Sequence, residues 1–130
     1  MDVERSQHVA DVVPHSLGAE VELAGDLLRR AALLEAARIQ LELLDQAADV
    51  AALAEAMVGS GVATAIGDAA TASFLAAAAC RSAYWSIRSN LRSINQRDDT
   101  RPLVESAVVT LDRVEAAEIR VRQVLDERVG

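Results

Sequence analysis

The chain has no lysine. Its 13 basic residues are all arginine, so no Schiff-base lysine and no lysine acid or base is available to it. Aromatic residues make up only 2% of the sequence. Strands favour aromatic and β-branched side chains, so a β-fold is disfavoured, while abundant alanine and leucine favour helix. Two prolines and six glycines leave few places to interrupt a helix. A single cysteine, Cys80, forms no internal disulfide and fits a reducing compartment. The N-terminus, MDVERSQHVADVVP, shows no basic-then-apolar leader pattern, and the longest apolar run, around Ala76 to Cys80, is far short of the roughly 20 residues of a membrane span. The expectation is a cytoplasmic protein with no membrane partner.

What is present is a chain of 130 residues, 52% hydrophobic, with a net charge of −7. That length allows one domain, and the apolar fraction excludes disorder. The acidic balance argues against nucleic acid, which is bound by clustered cations.

Along the chain, residues 1–18 read as an irregular lead-in closed by a turn at Pro14 and Gly18, followed by one helical domain over 19–130. Three long helices are predicted, near 19–58, 64–94 and 103–128. In the first, Leu27, Ala31, Leu34, Leu41, Leu44, Ala48 and Ala51 recur at helical steps, beside a charged stripe with Glu35, Arg38, Glu42 and Asp49. At ~1.5 Å per residue it would run about 60 Å, so it must bend, break near Gln40 or protrude. Gly59-Ser60-Gly61 supplies a left-handed stop. The segment 95–102 reads as a polar turn, with Asp98, Asp99 or Thr100 capping the last helix. That helix carries the stripe Leu103, Ala107, Leu111, Val114, Ala117, Val121 and Val124, with Arg113, Glu118, Arg120 and Arg122 outside.

The middle helix is apolar nearly all round over 69–80, a pattern of burial on every side. Two neighbours cannot supply that cover, so a homo-oligomer, most simply a dimer, is expected to complete the fold. On the same helix Asp68 and Ser86 fall on one line, with Ser82, Asn90 and Ser93 within about 40° of it. The two ends of that line lie about 27 Å apart, so one chain cannot bring Asp68 and Ser86 into a single pocket, whereas an antiparallel partner could. Asp68 follows Gly67 at the helix start, where a carboxylate serves as cap and dipole partner or, in an apolar cleft, as a general base. Arg81, Arg88 and Arg92 gather on another face with Trp85 nearby, a set able to hold a carboxylate or phosphate or to remain in solvent and ion pairs. His8 and His15 lack a third ligand, so no metal site is expected.

The stretch from Ser60 to Asp99 resembles the cyclodeaminase domain of formiminotransferase-cyclodeaminase and the bacterial methenyltetrahydrofolate cyclohydrolases. The residues that carry the likeness are Gly67-Asp68-Ala69-Ala70, an Asp opening an alanine-rich helix, and the run Arg81, Ala83, Arg88, Asn90, Leu91, Arg92, Ser93 and Ile94, which follows the family's Arg-x-Ala, then hydrophobics, then Arg-x-Asn-Leu-Lys/Arg-Ser-Ile pattern. The likeness extends more loosely over residues 10–128. Departures are Ser86 where the family has Asn, Gln40 where it has Pro, and no counterpart of its N-terminal helices and Gly-Gly-Gly-Ser stretch. The chain thus looks like the C-terminal two-thirds of that fold, either a shortened relative or one half of a split protein. The resemblance implies an enzyme that closes a ring at an imine, amidine or iminium C–N centre with loss of ammonia or water. Asp68 would be its proton shuttle and Ser86, Asn90 and Arg88 would bind a small-molecule substrate. It implies no cofactor, a tetrahydrofolate derivative being a possible substrate. The rival reading is a non-catalytic helical subunit that dimerises or scaffolds on the same fold.

Overall fold

Alanine- and leucine-rich segments with few breakers form three helices, α1 (Val3–Ser60), α2 (Ile66–Arg92) and α3 (Arg97–Val129). The computed structural model describes the backbone of residues 3–61, 63–94 and 97–129, and the side chains of 16–61, 63–94 and 100–128. Among the described residues there is no strand. The protein is all-α, and each helix packs on both others. No helix in the described residues is long and apolar enough to cross a membrane.

Two predicted interruptions do not occur. Helix α1 neither starts at Ala19 nor breaks near Gln40; it runs unbroken from Val3 through Pro14 and Gly18. Helix α3 starts at Arg97, inside the predicted turn, and takes Pro102 into its body. A proline near a helix start removes one hydrogen bond close to an end where donors are unsatisfied anyway, so a strong run of helix formers continues through it. The glycine stop does hold. Helix α1 ends at Ser60 and Gly61 has φ +80°, a left-handed conformation that side chains resist.

The core is small-residue packing. Leu44, Ala47, Ala48 and Ala51 of α1 meet Ala76, Ala77, Cys80, Ala83 and Ile87 of α2 and Ala107 and Val114 of α3. Alanine at so many facing positions lets helix backbones approach closely, in the manner of small-residue interfaces. A second cluster, Val58, Ala69, Ala70 and Val121, closes the end nearest the glycine stop. There Arg128 of α3 donates to the carbonyls of Val58 (3.3 Å) and Gly59 (3.4 Å), satisfying acceptors at the end of α1. An added Cβ at Gly61 would lie 3.0 Å from that guanidinium.

At 58 residues α1 spans about 87 Å, twice the roughly 40 Å of α2. Of the bend, break or protrusion anticipated, protrusion is what occurs. Residues 16–29 are exposed throughout, and regular burial begins only at Ala37.

Candidate functional site

Polar chemistry in this molecule is distributed along α2, so the faces of that helix define what the site residues can do. Its inner face buries Ala69, Ala70, Ser73, Ala76, Ala77, Cys80, Ala83, Ile87 and Leu91 against α1 and α3. Its outer face is open: Thr71, Leu75, Ala78 and Ser82 are exposed, Leu75 at 66%. Burial on every side over 69–80 is therefore not achieved within one chain. Among the described residues, one side of α2 has no helix packed over it.

Asp68 lies on that outer side, exposed, in the first turn of α2. The N-cap residue is Ala65, with no side-chain cap bond; Asp68 sits among the first free N–H groups, where its charge favours the helix dipole. At about 100° per residue, Ser86 and Ser93 share its side of the helix, and Ser82 and Asn90 flank that line at about 40° on either side. Ser86 and Asn90 are half-buried, while Ser82 and Ser93 are exposed. Within one chain Asp68 and Ser86 stand about 27 Å apart, so this is a line along a surface and not an enclosed pocket. Arg88 projects about 160° away from Asp68 around the helix, on the opposite flank.

The arginine group seen in the sequence divides in space. Arg81 turns to α3, where its guanidinium donates to Glu118 at 2.9 Å and pairs with Glu115 at 3.7 Å. Arg122 donates to the other Glu118 oxygen at 2.7 Å and lies 5.3 Å from the centroid of Phe74. Glu118, expected outside the stripe, is 7% exposed and buried between these two arginines. The Arg81 hydrogen bond holds the Glu118 carboxyl below its ordinary range, against the opposing effect of burial. Helical periodicity places a charge outside by default, and only the partner on another helix reveals the exception. Arg120 likewise reaches across to Glu55 of α1, with Arg120 Nη2 at 3.0 Å from Glu55 Oε2.

Arg88 and Arg92 remain together, on a different surface. With Trp85 and Ser89 of α2 and Thr100, Arg101 and Val104 of α3 they line an open groove of about 700 Å³. Arg88 donates to the Tyr84 hydroxyl at 2.8 Å, and Tyr84 meets Trp85 edge-on with centroids 5.4 Å apart. Sequence reading missed the α3 side of this groove, because residues 95–102 look like a loop. A smaller groove of about 370 Å³ lies between Asp26, Arg29, Arg30 and Leu33 of α1 and Ser93 and Ile94 beyond α2.

Among the described residues no three His, Cys, Asp or Glu side chains converge as a metal-binding group; the side chains of His8 and His15 lie outside them. Cys80 is buried, its thiol 3.5 Å from the Leu44 carbonyl, and burial pushes its pKa up, away from thiolate chemistry. Ser73 Oγ is buried in the core with no hydrogen-bond partner.

A family model described as formiminotransferase-cyclodeaminase matches residues 23–107. The match takes in Asp68, the outer line of α2 and the whole lining of the Arg88–Arg92 groove. No curated protein and no solved structure matches the chain.

Proposed function

For a chain that belongs to the formiminotransferase-cyclodeaminase family, its model matching more than half of the sequence, we propose an enzyme that closes a ring at a C–N centre. The substrate is a small molecule bearing an imine, amidine or iminium group, a tetrahydrofolate derivative being the first to test. In this reading a second nitrogen of the substrate attacks the amidine carbon, its proton passes through the Asp68 carboxylate to the departing amine, and ammonia leaves as the C=N bond of the new ring forms. A cyclohydrolase run of the same site adds and removes water instead. The cation that develops is favoured by a carboxylate within a chain of net charge −7.

The single observation that carries this reading is the open outer face of α2, with Asp68 on the same side as Ser82, Ser86 and Ser93. A carboxylate there becomes a useful base only when a wall excludes water. We assign that wall to a second copy of the chain, whose antiparallel α2 would set its Ser86 and Asn90 opposite this Asp68. Two features support a homodimer: the exposed leucine on that face, and the exposed apolar residues Ile39, Leu43, Val50, Leu53 and Met57 along α1, spaced by three, four and seven. Arg88, on the far flank, takes no part in this site.

Asp68→Asn is the test, because it keeps size and much of the dipole contact while removing the base. Turnover of a formimino- or methenyl-substituted tetrahydrofolate, or of a simple formamidine, should drop by roughly 10²–10⁴ while stability changes by no more than about 1 kcal/mol. The alternative is a non-catalytic dimerising scaffold, favoured by the exposure of Asp68 at a helix start. Loss of stability with turnover unchanged, or a well-formed dimer inert toward all three substrates, would sink the enzyme and leave the scaffold.

A further inference from the structure

At the opposite end of α2 from Asp68, the groove between the C-terminal turns of α2 and the start of α3 has the parts of a ligand site of its own. Trp85, Arg88, Ser89 and Arg92 recur at steps of three and four, so they share one side of the helix within about 100° of arc. The first turns of α3 close the other wall with Thr100, Arg101 and Val104, and Leu91 contributes to the lining. Trp85 is 65% exposed, a large aromatic face in a protein with one tryptophan, one tyrosine and one phenylalanine. Such a surface is a stacking platform in search of a flat partner.

The arginines differ in how much of their charge is already used. Arg101 has Glu105 at 3.4 Å, an exposed pair of little strength. Arg88 is oriented by a neutral group, the Tyr84 hydroxyl, with its guanidinium 5.8 Å from the Tyr84 ring centroid. Arg92, among the described residues, has no carboxylate within ion-pair distance and is exposed in the last turn of α2. Two guanidiniums with no carboxylate partner among the described residues, one of them held in place, match a dianion with several acceptor oxygens better than a single carboxylate. This stands out on a chain of net charge −7, where a cationic groove is a local exception. A groove of about 700 Å³ is the size of a small-molecule site.

We propose that this groove binds a phosphate monoester carried on a flat ring, of which a nucleoside monophosphate is the simplest example. The ring stacks on Trp85 and the phosphate lies between Arg88 and Arg92, with Arg101 at the rim. The site is independent of Asp68 and of the ring-closing reaction.

The lone tryptophan is a built-in reporter. Titration of the full chain with adenosine 5′-monophosphate, followed by Trp85 fluorescence and by calorimetry, should give saturable binding with Kd of roughly 0.1–1 mM. Adenosine, inorganic phosphate and benzoate should each bind at least about tenfold more weakly, because each lacks the ring, the dianion or the phosphate geometry. Arg92→Gln should weaken the nucleotide about tenfold and Arg38→Gln, on the α1 surface, should not. Should Arg92→Gln fail to fold by circular dichroism, Arg101→Gln replaces it, with a smaller loss expected. No saturable binding up to 10 mM, a well-folded Arg92→Gln as tight as the parent, or phosphate alone as tight as the nucleotide would each overturn the proposal (probe concentrations on the order of the weakest useful affinities). Benzoate binding as tightly as the nucleotide would overturn it in favour of a carboxylate site.

Discussion

The two halves of α1 are made of the same material and end in opposite surroundings. From Ala37 to Val58, Ala37, Leu44, Ala47, Ala48, Ala51, Ala54 and Val58 are buried against α2 and α3. From Ser16 to Arg29 every residue is exposed, including Leu17, Val21, Leu23, Leu27 and Leu28. Helix propensity is high in both, so propensity makes the helix while tertiary packing decides which part of it is held. The core-facing line changes character along its length. In the inner half it is alanine and leucine; in the outer half, on the same side of the helix, stand Glu22, Asp26, Arg29 and Arg30. Leu17, Val21 and Leu28 of the outer half stand on the other sides of the helix, exposed.

The largest effect should come from placing a charge where packing is closest. Ala77 is fully buried between the helices. Ala77→Arg both overpacks the site and buries an unpaired guanidinium, and the loss should be about 4 kcal/mol or more, seen as collapse of the cooperative thermal transition in circular dichroism. Leu44→Ala opens a cavity in the inner half and should cost about 3 kcal/mol, read as a lower denaturation midpoint at unchanged slope.

A smaller and pH-dependent effect lies at Glu118, which ties α3 to α2 through Arg81. Its carboxyl pKa is lowered in the folded chain from an ordinary 4.5, chiefly by the Arg81 hydrogen bond. A lowered folded value contributes stability that is fully present above about pH 4.5 and is lost as pH falls through the lower folded value. Glu118→Gln should cost about 1 kcal/mol at pH 7, Arg81 and Arg122 being partly in solvent, and should flatten this part of the acid limb. A variant whose stability falls with acid as steeply as the parent's would show that Glu118 is not the group responsible.

Much of the inner half was legible in the sequence. The stripe Ala107, Val114, Ala117 and Val121 on α3, the glycine stop at Gly61 and the bounds of α2 all follow from periodicity and backbone chemistry, which are local. What failed needed knowledge of neighbours. Pro14, Gly18 and Pro102 read as breaks, but each costs less than the helix formers around it supply collectively. Glu118 reads as solvent-facing until Arg81 is known to lie across from it. The line of Asp68, Ser82, Ser86 and Ser93 was legible because one helix carries it; whether it faced a core or the outside was not, since that depends on where α1 and α3 settle. Trp85, Arg88 and Arg92 were legible as a set for the same reason, whereas Thr100, Arg101 and Val104 join them only through the packing of α3.

The smallest effect on the isolated chain is the sharpest test of the comparison, because it repeats one substitution in the other half of the same helix. Leu28 is 72% exposed, so Leu28→Ala removes little that folding of one copy buries. Its cost to a single chain should stay within about 0.5 kcal/mol, against about 3 for Leu44→Ala, even though leucine and alanine are nearly equal in helix propensity. If a second copy covers the outer half, the same methyl groups become interface, and the cost should then grow with protein concentration as dimer replaces monomer. Denaturation of parent and variant at about 1 μM and about 100 μM, beside sedimentation at both, separates the two contributions by mass action. A cost below about 0.5 kcal/mol at both concentrations would place the outer half outside any interface between copies. A gap that widens by about 1 kcal/mol or more at the higher concentration would make Leu28 a contact that the folded monomer leaves unused.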